Sequence, residues 1–136
     1  MVERDIEDGQ KLIDALIEKE EYPLESAIWL YYPESETWKL TLASPLYDIL
    51  GPRSEFAELY SLIKSMKEEI NINFLDTTVV SPQHPIIANL RHSQKRKGIN
   101  FSGFRLRGHS INNVYVDDVY IYFVGREVRQ EAIQNR

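Results

Sequence analysis

The sequence predicts an α+β fold, a mostly antiparallel five-stranded sheet with about three helices packed on one face in the order αββαβαββ. Three observations predict it. Apolar residues recur at helical spacing over 4–20 and 53–69, period-two alternation marks the segments between and after them, and an Asn-Asn pair separates two alternating runs near the end. A length of 136 residues suits a single domain, 1–136, with one core.

In residues 4–20, Ile6, Ile13, Leu16 and Ile17 fall on one side of a helix, with Asp, Glu and Lys elsewhere. Ala27-Ile28-Trp29-Leu30-Tyr31-Tyr32 is apolar on both faces, which places it inside a sheet. After a Pro33-Glu34-Ser35-Glu36 turn, Trp38, Leu40 and Leu42 alternate with Thr37, Lys39 and Thr41, so the two segments form a hairpin whose second strand is half exposed. Ser44-Pro45 and Gly51-Pro52 bracket a loop. A helix over about 53–69 follows, carrying Phe56, Leu59, Tyr60, Ile63 and Met66 on one stripe.

Residues 72–80 are rich in β-branched and aromatic side chains and read as a strand. Ser81 as N-cap and Pro82 at the first helical position open a third helix over about 82–96, which stops before Gly98. Asn112-Asn113 then makes a two-residue turn, because Asn tolerates positive φ. That turn sets Arg107 opposite Asp118 and Arg105 opposite Tyr120, on the same side as His109 and Val116. Phe104, Leu106, Val119, Ile121 and Phe123 are left for the core. From about Gly125 the chain is either a mobile tail or a short helix.

The net charge is −5, but residues 1–70 carry 7 basic against 16 acidic side chains and residues 71–136 carry 9 against 5. The sharpest segregation lies between Arg91 and His109. Arg91, Lys95, Arg96, Lys97, Arg105, Arg107 and His109 stand there without one Asp or Glu, an island able to hold an anion or a nucleic-acid backbone. The same residues also fit plainer roles. Cations in a last helical turn complement the helix dipole, and Arg107 facing Asp118 is an ordinary cross-strand pair.

The absence of cysteine excludes disulfides, thiolate metal sites and a Cys nucleophile. The amino terminus is charged, and no run of apolar residues is long enough to span a bilayer, so a cytoplasmic location without membrane contact is the default expectation. Phosphate-binding loops, dinucleotide fingerprints and His- or Asp-rich metal spacings are missing, which implies neither cofactor nor metal.

His92 or His109, oriented by Asp118 or Asp117, are the catalytic candidates, since imidazole titrates near neutrality and a carboxylate fixes its tautomer. The aromatics offer a different surface. Trp29, Tyr31, Tyr120 and Tyr122 have the composition of interface anchors, although core packing accounts for such residues equally well. The leading expectation is a non-enzymatic accessory protein that meets a protein partner, or a second copy of itself, through the aromatic sheet or the basic surface. A nucleic-acid-associated protein is the alternative. A metal-independent RNase or phosphoesterase, with an Arg steadying phosphoryl charge, is a third.

Overall fold

In the computed structural model, which describes residues 1–134, the order of elements is α1 (Glu3–Glu18), β1 (Ser26–Tyr32), β2 (Thr37–Ala43), α2 (Pro45–Leu50), α3 (Pro52–Ser65), β3 (Thr77–Val80), α4 (Pro85–Lys97), β4 (Arg105–Ile111), β5 (Val114–Phe123) and α5 (Gln130–Gln134). The five strands lie in the order β3-β2-β1-β5-β4. All pairs are antiparallel except β2 with β3, which is parallel and needs the crossover that α2 and α3 supply. The expected α+β class holds. The helices number five rather than about three, two of them short.

β1 is central, as its two apolar faces require. Ala27 and Trp29 point to one cluster with Leu40, Leu42 and Val79, covered by Leu12, Ile13 and Leu16 of α1, Leu46 of α2 and Leu59, Leu62 and Ile63 of α3. Ile28 and Leu30 point the other way, with Val119 and Ile121, under Ile87 and Leu90 of α4. Helices therefore cover both faces and not one, since each face of β1 would otherwise expose several large side chains. Each such side chain is worth about 1.5–3 kcal/mol when buried.

Several expected boundaries move for local reasons. Ser44 caps α2 by accepting the Leu46 N–H at 3.2 Å, with Pro45 at the first position, so the supposed loop is a helix. α3 ends at Ser65, and Asn73 caps a 3-10 turn over Phe74–Asp76, which shortens the strand expected over 72–80 to Thr77–Val80. α4 starts at Pro85 rather than Pro82. A helix begun at Pro82 would carry Pro85 where an N–H is needed, so Ser81 instead accepts from Gln83 in a turn and His84 becomes the cap.

The Asn112-Asn113 turn forms, with φ of 49° and 67°, and the β4–β5 register is the predicted one, Arg105 to Tyr120 and Arg107 to Asp118. Its side assignment is only partly right. A register shift against Ala27 and Ile28 bulges β5 at Tyr122, sending Phe123 to the α1 side, and Phe104 stays exposed before the strand, stacked on Phe101. Val116 shares the α4-side cluster with Val119, so alternation also breaks near Asp117, across from Gly108 with φ 59°. The tail contains the short α5; its last two residues, 135–136, lie outside the described residues.

Candidate functional site

On the α1 side, side chains open toward solvent as the strands run to the β1–β2 turn. Along β1, Ala27 and Trp29 are buried and Tyr31 is half-buried; along β2, Leu42 and Leu40 are buried and Trp38 is half-buried. The Pro33–Glu36 turn sets Tyr31 opposite Trp38, so both rings share this face, with centroids 5.4 Å apart.

Arg105 arrives from β4, its guanidinium carbon 5.3 Å from the Trp38 ring centre. It is also committed elsewhere: Nε donates to Asp118 Oδ1 at 3.0 Å and Nη2 to Oδ2 at 2.8 Å. These bonds raise the Arg105 pKa against a smaller opposing effect of burial. Arg107 reaches the same Asp118 oxygen at 3.6 Å and is largely exposed. Tyr120, opposite both Trp29 and Arg105, fills the space between with its edge against Tyr122. The result is an open face of two tyrosines, a tryptophan and two arginines with one charge already balanced.

The basic island is split by the fold. Arg105 and Arg107 lie on this face, whereas Lys95, Arg96 and Lys97 end α4 on the opposite one, all three exposed. Arg96 donates to Asn112 Oδ1 at 3.3 Å, tying that helix end to the hairpin turn. Arg91 is structural, donating to Glu25 at 3.0 Å and to the Pro82 carbonyl at 2.9 Å.

The catalytic candidates do not converge. His92 is exposed on α4 and His109 is exposed on β4, its Nδ1 2.9 Å from its own strand's Arg107 carbonyl. Among the described residues neither histidine pairs with a carboxylate, and Asp118 is held by arginines. Trp29 and Tyr122, proposed from sequence as interface residues, are buried at 4% and 7% exposure. Trp29 Nε1 donates to Tyr122 Oη at 2.9 Å, and that hydroxyl donates to the Ile6 carbonyl of α1 at 2.6 Å. They therefore offer next to no surface for a protein partner to dock on.

One residue escaped the sequence reading and another was undervalued by it. Trp38 stands among the hairpin's aromatics but not among the expected interface anchors, although the hairpin register alone places it beside Tyr31. Glu55 was legible as buried, lying four residues before Leu59 on the apolar stripe of α3; its carboxylate accepts the Tyr22 hydroxyl in the core. Comparisons with family models, curated proteins and solved structures give no match.

Proposed function

We propose that the chain is a non-enzymatic interaction module whose partner, a protein, docks on the open face formed by Tyr31, Trp38, Tyr120, Arg105 and Arg107. The observation that carries this reading is Arg105, bonded twice to Asp118 while lying over Trp38. A guanidinium so balanced contributes stacking area and ordered donors rather than free charge, which suits a protein surface better than a phosphate backbone. The combination of Trp, Tyr and Arg is that of interface anchors.

The exposed Lys95, Arg96 and Lys97 support a second reading, nucleic-acid binding on the other side of the molecule. One experiment separates the two. Fluorescence anisotropy of short RNA and DNA at low and raised salt, on the native protein and on Lys95→Ala/Lys97→Ala and Tyr31→Ala/Arg107→Ala variants, is expected to show no salt-sensitive binding. A photo-reactive group at Tyr31 is expected to cross-link a defined protein, or a second copy, that Arg107→Ala weakens. Salt-sensitive oligonucleotide binding lost in the lysine variant would move the function to α4.

A further inference from the structure

We infer that the cavity between the start of α1 and the Trp38 end of β2 is a binding site for an alkylated ammonium group. The half-buried Trp38 and the almost fully buried Trp29 line it from the sheet, Asp5 from α1, and Asn71, Ile72 and Asp76 from the segment that leads into β3. The chain has two tryptophans, and both line this cavity. No Lys, Arg or His side chain is among the lining residues, and the one positive group there, the Met1 ammonium, is outnumbered by the carboxylates of Asp5 and Asp76.

The chemistry follows from that lining. An ammonium whose protons are replaced by methyl groups has an apolar shell and a diffuse positive charge, so it prefers indole faces with carboxylates nearby over water alone. A metal ion is poorly served, because the cavity brings only two carboxylates, and among the described residues no three His, Asp or Glu side chains gather to hold one. Asp5 spends one oxygen on the Val2 N–H at 2.8 Å, while Asp76 is exposed and its carboxylate has no hydrogen bond or ion pair among the described residues. Trp38 already shows its affinity for cations, holding Arg105 at 5.3 Å, and Asp118 balances that neighbour so that a second positive charge is not opposed outright.

Size narrows the ligand further. The cavity is about 230 Å³, below the roughly 300–1,000 Å³ that takes drug-sized molecules, which fits one headgroup or one side chain. Two sources share this chemistry: a free choline-type molecule and a methylated lysine in a peptide. The site shares Trp38 with the proposed partner face but not Tyr31, Tyr120 or Arg107, and Asp76→Asn tests it without touching that face.

The test is a titration followed by tryptophan emission and by the indole N–H signals in NMR. The probes are choline, its uncharged carbon isostere 3,3-dimethylbutanol, and one short peptide carrying either trimethyl-lysine or plain lysine. A saturable response to choline or to the trimethyl-lysine peptide is expected, with the uncharged isostere about tenfold weaker. Trp38→Leu and Asp76→Asn should each weaken binding about fivefold or more while leaving the circular dichroism spectrum unchanged. Asp76 is exposed, so its variant keeps the test valid if Trp38→Leu unfolds. Preference for the peptide identifies a side chain as the ligand, and equal binding of free choline identifies a headgroup; both uphold the site. Equal binding of the uncharged isostere, or no saturable response to either cation, overturns it.

Discussion

Under α1 and α3 the helices are tied to the sheet and to the α1–β1 connection by polar atoms placed inside the core, whereas under α4 the join is aliphatic and polar contacts stay at the rim. On the first side Tyr122 bridges the Trp29 indole and the Ile6 carbonyl, and Tyr22 donates to the buried Glu55. On the second, Ile87 and Leu90 meet Ile28, Val119 and Ile121, while Gln94 joins the Val124 carbonyl to the Phe101 N–H at the edge. The first side should therefore depend on geometry and protonation, and the second on volume.

The largest effect is expected where volume alone decides. Leu90 is fully buried, and Leu90→Ala should destabilise the protein by about 3 kcal/mol in urea unfolding, without changing its response to alkaline pH. Gly9→Ala is the matching test of geometry. A Cβ there would stand 2.2 Å from Tyr122 Oη, so the hydroxyl must leave and both of its bonds break, a loss of about 2 kcal/mol despite the better helix propensity of Ala. Combining it with Tyr122→Leu should remove most of that loss. An additive pair of substitutions would show that Tyr122 is not what α1 rests on.

Protonation comes next. Burial, helped at Tyr22 by Glu55, raises the pKa of Tyr22 and Tyr122 well above the ordinary value of 10. The unfolded chain releases these protons above about pH 10 and the folded chain does not, so stability is full below that pH and falls above it. Each tyrosine contributes at most about 1.4 kcal/mol per pH unit. Thermal unfolding from pH 8 to 11 should show a decline that Tyr122→Phe flattens and Leu90→Ala leaves alone.

The fold was legible wherever one residue's neighbours in sequence decide its conformation. The Asn112-Asn113 turn fixed its own register and with it the meeting of Arg105, Arg107 and Asp118. What the sequence hid depends on residues far apart. Ser44-Pro45 and Ser81-Pro82 look alike as helix starts, yet only the first is one, because Pro85 displaces the second start to His84. The run from Arg91 to His109 looks like one basic surface, but α4 and β4 lie on different parts of the sheet and divide it. Trp29 and Tyr31 share a strand face, yet α1 packs over Trp29 at Gly9 while Tyr31 stays half open, a difference that neither residue's own type reveals.

His84 gives the smallest effect and the most direct contrast between the two sides. It caps α4, with Nδ1 accepting the Ile86 N–H at 3.3 Å, which only an unprotonated nitrogen can do. Burial lowers its pKa from 6.5. The unfolded chain therefore takes up the proton first, and stability that is complete above pH 6.5 declines as the pH falls below it, the mirror image of the tyrosine effect on the α1 side. A charged imidazole at a helix N-terminus also opposes the dipole. The loss should stay below about 1 kcal/mol, the scale of a single cap. His84→Asn keeps a neutral cap and should abolish this acid slope while preserving stability at pH 8. Should the slope survive that substitution, carboxylates elsewhere carry it, and the α4 side responds to volume alone.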